Sequence, residues 1–198
     1  MSESVSGPAV PALFAQALRD VSAAATRPEL VLSEIPAPTG LAPHAIALAG
    51  DVRPTRHGLD SLLGTGRFVL LYDPAEPEAW GGSFRVVCFA QAPLDAEMAQ
   101  DPVMTDVAWS YLRDALDARS AVYSAASGTA TKVLSTGFGD LAGQSDSAQL
   151  ELRASWTPQE SSIAASVEGW CELLCMLAGL PPTADAVGLL PHLRAARD

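Results

Sequence analysis

The sequence predicts an α+β fold: an antiparallel sheet of five to six strands with three helices, arranged as a two-layer sandwich in the order α-β-β-β(-β)-α-β-β-α. Apolar residues recur at helical spacing in three segments, and strand-like runs lie between these segments in groups. Short turns rich in Gly, Asp and Pro join the runs. Grouped strands of this kind favour antiparallel pairing with helices on one face.

One helix and four strand candidates are predicted in the first half of the chain. An apolar stripe from Val10 to Val21 indicates the helix, and runs that end at Pro, Gly or Asp indicate the strands. The last two runs are apolar on both faces, which predicts a hairpin at the centre of the sheet. The strand candidates are 29–35, 46–52, 67–73 and 83–92, of which 46–52 is the weakest, and 53–66 is a surface connection with a helical turn at 59–63.

The second half predicts a helix followed by a hairpin. Asp101-Pro102 supplies an N-cap and a proline at the first helical position. Two strands, 129–138 and 148–156, bracket a Gly- and Asp-rich turn. The later strand alternates cleanly, with Leu150, Leu152 and Trp156 on one face, so this part of the sheet should be solvated on the other.

A final helix is predicted over 158–178. Thr157-Pro158-Gln159-Glu160 matches a capping box, and Gly179 before Pro181-Pro182 is typical of a helix end. The domain organisation that follows is a disordered lead-in at 1–7, one α+β domain at 8–182 and a loose tail at 183–198.

The charge of the chain argues against direct nucleic-acid binding. The formal net charge is −11, and the 12 basic residues are scattered rather than clustered, whereas phosphate binding needs clustered positive charge. Apolar runs are too short to span a bilayer, and the first residues lack a secretory pattern. We therefore expect a cytoplasmic protein without membrane contact, whose three cysteines, Cys88, Cys171 and Cys175, are reduced and buried.

No cofactor or metal site is predicted. Gly64-Thr65-Gly66 precedes a strand and lacks a third glycine or a phosphate-binding lysine, which excludes the common nucleotide motifs. Cys171 and Cys175 have a spacing that could place two thiolates on one metal ion, but a closed site needs about four ligands. The other possible ligands are scattered, so the pair is interpreted as packing.

His57 is the one histidine with catalytic surroundings. It lies in a charged, glycine-containing loop and could act as an acid or base with Asp60 or Asp73. No nucleophile motif accompanies it. A small-molecule enzyme using His57 is therefore an alternative rather than the leading hypothesis.

The strongest candidate for partner binding is the loop between the two central strands. Asp73, Glu76 and Glu78 lie beside Trp80 there, and carboxylates next to an aromatic side chain suit a basic or amphipathic protein partner. Trp109 falls off the apolar stripe of the second helix, so it either contacts a partner or covers the edge of the helix.

Five separated strings resemble an actinobacterial family catalogued as domain of unknown function number three thousand. They are GRFVLLYDP (66–74), EAWGGSFR (78–85), EMAQDP (97–102), RASWTP (153–158) and WCELLCMLAGLPP (170–182), and the resemblance spans 28–182. The family has no assigned activity and no established catalytic residues, so the resemblance implies no site. Its genes tend to lie near one for a ribonuclease D-like exonuclease, which implies a role as an accessory factor to RNA processing.

The order of elements also resembles that of type III secretion chaperones, which are small, acidic and dimeric. That order has three strands before the second helix, so the strand candidate at 46–52 departs from it. Fold analogy does not establish function. The leading hypothesis is a non-enzymatic, chaperone-like or adaptor-like protein-binding module, forming a homodimer through the second helix or the sheet edge.

Overall fold

The computed structural model describes residues 10–53, 63–143 and 146–183, and within them the chain forms four α-helices, two short 3-10 helices and six strands. This confirms the predicted α+β class and the broad order of elements. The short helix at 96–100 was not predicted. The helices are α1 (Ala12–Ala23), α2 (Ala96–Gln100), α3 (Met104–Ala118) and α4 (Ile163–Leu177), and the strands are β1 (Leu30–Ile35), β2 (His44–Val52), β3 (Gly64–Tyr72), β4 (Phe84–Leu94), β5 (Tyr123–Ser135) and β6 (Ser147–Pro158).

The strands form one antiparallel sheet in the order β1-β2-β3-β4-β6-β5. β3 and β4 pair as a hairpin, with Val69 opposite Val87, and hold the two central positions as predicted. The weak candidate at 46–52 is a strand, so the sheet has six strands. Four strands therefore precede α2 and α3, which departs from the order of the type III secretion chaperones.

β6 has one buried and one solvated side, as its alternating sequence predicts. Leu150, Leu152 and Trp156 are buried, whereas Gln149 and Arg153 on the opposite side are not. Successive side chains of a strand point to opposite faces, so the helices cover a single face of the sheet here.

α4 lies across the centre of this face, with α1 and α3 beside it. Leu174 packs over Gly50 and Gly66. A Cβ added at Gly50 would lie 2.9 Å from a methyl carbon of Leu174, and one added at Gly66 would lie 2.6 Å from the other. A Cβ at Gly169 would lie 2.8 Å from Leu116 Cδ2 of α3. Glycine at these positions lets α4 approach both the sheet and α3 closely, and α4 is consequently buried on most of its surface.

α4 begins at Ile163, so the predicted capping box is wrong. β6 continues through Pro158, and the Thr157 hydroxyl donates a hydrogen bond to the backbone oxygen of Trp80 instead of capping a helix. A contact between residues distant in sequence therefore extends the strand past the local helix signal.

The predicted end of the last helix is confirmed. Gly179 has a φ of +80°, and its N–H donates to the carbonyl of Met176 at 3.0 Å. The Leu180 N–H donates to the carbonyl of Cys175 at 2.9 Å. This pair of bonds is the Schellman motif, which favours glycine because the residue adopts a left-handed conformation.

Three other predicted boundaries are wrong. α3 begins at Met104, two residues later than predicted, although the Asp101 carboxylate does accept the Val103 N–H at 3.0 Å in the turn before the helix. Gly64–Gly66 belong to β3 rather than to a connection. The strand predicted at 129–138 is β5, which begins earlier because its first residues pair with the end of β6.

Side chains of opposite charge meet, most of them partly buried, where α3, α4 and the residues just before β1 come together. The side chain of Glu172 is 1% exposed, and its two carboxylate oxygens accept bonds from Arg27 at 3.2 Å and Arg119 at 3.1 Å. Glu29 pairs with Arg27, and Glu168 lies 3.8 Å from Arg119. Hydrogen bonding to Arg27 lowers the pKa of Glu29 below its usual value. Opposite charges thus surround one another in the interior.

The same cluster holds the chain that follows α4. The Thr183 N–H donates to Glu172 Oε1 at 2.9 Å, and Arg27 Nη1 donates to the carbonyl of Pro181 at 2.8 Å. Arg119 Nη2 lies 3.3 Å from Thr183 Oγ1. Residues 181–183 are therefore fixed to two elements that are distant in sequence.

Within the described ranges, each helix is too short or too polar to cross a membrane. The predicted lead-in at 1–7, the helical turn at 59–63 except Leu63, and the tail at 183–198 except Thr183 lie outside the described residues.

Candidate binding site at the acidic loop

The loop that joins β3 to β4, residues 73–83, is held in a defined shape by its own backbone. The Asp73 carboxylate accepts the Ala75 N–H at 2.9 Å, as in an Asx turn. The Asp73 N–H donates to the carbonyl of Ser83 at 2.9 Å and closes the hairpin. Glu76 follows with a φ of +49°. We call residues 73–83 the acidic loop.

The far side of the acidic loop is a second turn that is fixed to β6. The Trp80 N–H donates to the carbonyl of Pro77 at 2.8 Å. The carbonyl of Trp80 accepts the Thr157 hydroxyl bond. Because both ends of the turn are bonded, the loop presents its carboxylates from a preorganised backbone.

Arg85 connects this loop to the edge of the sheet. Its guanidinium reaches across β6 and donates to Ser155 Oγ at 2.6 Å, to Thr157 Oγ1 at 3.1 Å and to the carbonyl of Ala125 at 3.1 Å. Ala125 lies in the irregular part of β5 with a φ of +50°. Burial lowers the pKa of Arg85 from its usual value. Arg85 is a structural cation that aligns the loop, β6 and the β5 bulge.

A cavity of about 640 Å³ lies between the acidic loop, the start of β5 and the junction of β6 with α4. Two carboxylate residues line it, Glu76 and Glu160, and no described lining residue is basic. Neither forms an ion pair within the described part of the chain. The remaining lining is mainly small or hydroxyl-bearing: Gly81, Gly82, Ser83, Ser124, Thr157, Pro158, Gln159 and Ser161.

A second cavity of about 420 Å³ adjoins the first, since Glu160 and Ser161 line both. It runs between α1 and the start of α4, and its lining includes the carboxylate residue Asp20 and the apolar residues Leu13 and Phe84. We call the two together the acidic trough. Asp20, Glu76 and Glu160 line it on three different elements.

The carboxylates and hydroxyls of the acidic trough can accept hydrogen bonds from a cationic group. Carboxylates accept hydrogen bonds from ammonium and guanidinium groups, and the serine hydroxyls add neutral acceptors. In the residues that the structure describes, no group of three His, Cys, Asp or Glu could hold a metal ion. The arrangement can therefore bind a positively charged side chain, and it offers apolar contacts beside it.

The structure brings four of the five predicted partner-binding residues together. Asp73, Glu76, Glu78 and Trp80 all lie in the acidic loop, and Glu76 also lines the trough. Trp80 is half-buried. Trp109 lies elsewhere, on α3. Its ring covers Gly128 of β5, so closely that a Cβ added to this glycine would lie 2.9 Å from the ring.

Reasoning from the sequence missed Asp20 and Glu160 as members of the site. Glu160 was interpreted as part of a capping box, and Asp20 was not singled out at all. The available signal was the polar run Gln159–Ser162 between a strand and a mainly apolar helix. The predicted base His57 and its partner Asp60 lie outside the described residues.

The three cysteines are buried and unpaired. Burial raises the pKa of Cys88 to about 12 and that of Cys175 to about 11. Burial also raises the pKa of Cys171, and the neighbouring Cys175 adds to that effect. These thiols are packing residues, as the sequence suggested.

We expect the native protein to resist thiol labelling. At pH 8 a small disulfide reagent should modify the three thiols many times more slowly than in denatured protein, because reaction requires an accessible thiolate. The measurement is the time course of thiolate release with and without denaturant. Rapid labelling of one thiol in the native protein would contradict the buried positions.

A family model described as "Protein of unknown function (DUF3000)" matches residues 10–187. No curated protein and no solved structure matches the chain.

Proposed function

Since the chain belongs to the DUF3000 family of unknown function, we propose its function from the geometry of the site: a chaperone-like or adaptor-like protein-binding module that captures a basic, amphipathic segment in the acidic trough. The observation that carries this proposal is the cavity of about 640 Å³ lined by Glu76 and Glu160 and by no described basic residue.

Two further features support a peptide rather than a small metabolite as the ligand. The trough is long, because it continues past Glu160 onto α1, where Asp20 adds a carboxylate. Its walls change from hydroxyls near Ser83 to apolar side chains near Leu13 and Phe84. A segment with alternating cationic and apolar side chains would match both the charges and the walls.

The net charge of −11 contributes in a less specific way. A negative field accelerates the approach of a basic partner over distances of about a Debye length, about 10 Å at 0.1 M salt. The trough carboxylates then determine where that partner rests. Binding should accordingly weaken as salt is added.

The double substitution Glu76→Gln with Glu160→Gln should weaken binding of a basic peptide by about tenfold or more, since each change removes a charge-assisted acceptor. The probe is a fluorescein-labelled ten-residue peptide of alternating Lys and Leu, and the measurement is fluorescence anisotropy at low salt. A peptide with Glu in place of Lys should not bind.

The matched control is Glu34→Gln with Glu97→Gln, which removes the same charge from exposed positions outside the trough. This control should retain most of the affinity. If both double variants lose affinity equally, the attraction is a property of the net charge and the trough is not the site. If the wild-type protein binds neither peptide, the proposed ligand class is wrong.

A further inference from the structure

The edge strand β5 is the longest strand of the sheet. It spans 13 residues, whereas β1 on the other edge spans 6. In an antiparallel ladder, alternate residues direct their N–H and C=O groups away from the paired strand. About half of the backbone groups of β5 therefore face outward, and no described strand pairs with them.

β5 carries few of the usual devices that protect a sheet edge, and those it has leave most of the strand open. It contains no proline and no carboxylate, and edge strands are commonly blunted by proline, charge or bulges. Its single charged residue is Lys132, whose Nζ donates a hydrogen bond to the carbonyl of Asp101 at 2.8 Å and is therefore held against its own chain. The irregular part lies between Ser124 and Ser127, which leaves a regular edge from Ser127 to Ser135.

Large apolar side chains are exposed at both ends of this edge. Leu134, Phe138 and Leu141, which we call the apolar tip, are 66%, 79% and 54% exposed. Val122, just before β5, is 48% exposed. Apolar side chains gathered at one end of a domain commonly mark an interaction surface.

We propose that β5 is the interface between two copies of this chain, paired antiparallel about a two-fold axis near the middle of the strand. In that arrangement the apolar tip of one copy lies beside Val122 of the other, and the same contact is repeated at the opposite end. The two sheets become one continuous sheet. The proposal does not depend on the function of the acidic trough.

Charge favours a second copy at this edge over the opposite one. Each copy carries a net charge of −11, so association requires a surface where carboxylates do not oppose one another. β5 has none along its length, and Asp140 lies beyond the strand, among the residues of the apolar tip, whereas β1 carries Glu34 within the strand. Lys132 of each copy lies opposite an alanine of the other, Ala126 in a pairing centred on Thr129 or Ala130 in one centred on Thr131, the middle of the regular edge, so the lysines do not meet.

The test is a cysteine scan in the full chain, with Ser127→Cys, Thr129→Cys and Thr131→Cys as separate variants. The native thiols are buried and do not compete. Under a mild oxidant, the position nearest the axis should form a covalent dimer several times faster than Ser33→Cys on β1, because a disulfide needs Cα atoms within about 7 Å. Wild-type protein should scatter light as twice the 20.6 kDa chain.

Leu134→Ser and Phe138→Ser should each raise the dimer dissociation constant by about tenfold or more, while Val31→Ser on β1, which is also exposed, should not change it. Far-UV circular dichroism checks that each variant folds. A single-chain mass for the wild type at all concentrations would overturn the proposal, and so would cross-linking at Ser33→Cys that equals that of every β5 position.

Discussion

Replacing Glu172 with glutamine should lower the free energy of unfolding by about 3–5 kcal/mol, because it removes the buried carboxylate that lies between two partly buried cations. Glu172 is 1% exposed and accepts bonds from both Arg27 and Arg119. Once the charge is lost, the two guanidinium groups have no shared anion and retain only Glu29 and Glu168 as partners of opposite charge. Equilibrium urea unfolding, followed by circular dichroism, measures the change.

The control for this substitution is Glu151→Gln. Glu151 pairs with Arg153 at 3.4 Å on the solvated side of β6, where the arginine is 68% exposed. An exposed pair of this kind contributes about 0–1 kcal/mol, so the control should unfold almost as the wild type does. A loss below about 1 kcal/mol for Glu172→Gln would show that the buried cluster does not stabilise the domain.

Trp170→Ala should cost about 3–5 kcal/mol, since it removes the largest side chain of α4 from the centre of the core. The indole lies against Phe68, with ring centroids 5.6 Å apart, and a Cβ added at Gly50 would lie 2.9 Å from its ring. Its N–H donates to the carbonyl of Phe89 at 3.4 Å. Glycine and strand backbone lie against the ring, so the space it leaves would not be refilled easily.

Trp109→Ala is the matched comparison, because it makes the same chemical change at a half-buried ring. The expected loss is about 1–2 kcal/mol, in proportion to the smaller apolar area removed from water. Both variants are read from urea midpoints with circular dichroism, since tryptophan fluorescence changes with the substitution itself. Equal losses of unfolding free energy in the two variants would mean that Trp170 stabilises the domain no more than a half-buried tryptophan does.

Elements whose sequence pattern has a local physical cause could be predicted from the sequence. The alternation of Leu150, Leu152 and Trp156 located β6, because one buried side is enough to impose a period of two. The end of α4 was predictable for a similar reason, since the φ of Gly179 is required by the helix end itself. In both cases the physical cause lies within a few residues of the signal.

The start of α4 was predicted wrongly because the sequence around Thr157 is compatible with two structures. Thr157-Pro158 fits a helix start, and it also fits the end of a strand. In the folded protein the Thr157 hydroxyl accepts a hydrogen bond from Arg85 and donates one to the carbonyl of Trp80, and these bonds to the β3–β4 hairpin favour the strand. No local pattern contains that information.

Only the part of the candidate site that is contiguous in sequence could be predicted. The acidic loop is contiguous in sequence, so Glu76 and its neighbours could be found together. The trough adds Asp20 and Glu160 from two other elements, and only the packing of α1 beside α4 makes them neighbours. The buried cluster of Arg27, Arg119 and Glu172 was likewise invisible, because Glu172 lies 145 and 53 residues from the two arginines in sequence.

The central position of α4 has a consequence for how the domain is made. Synthesis proceeds from the N-terminus, yet α4 follows all six strands in the chain. Until it leaves the ribosome, the face of the sheet that carries Phe68 and Trp156 has no helix to cover its centre. The last steps of folding therefore wait for contacts between distant parts of the chain, which form slowly, and a nascent chain stopped before residue 163 should need protection from aggregation.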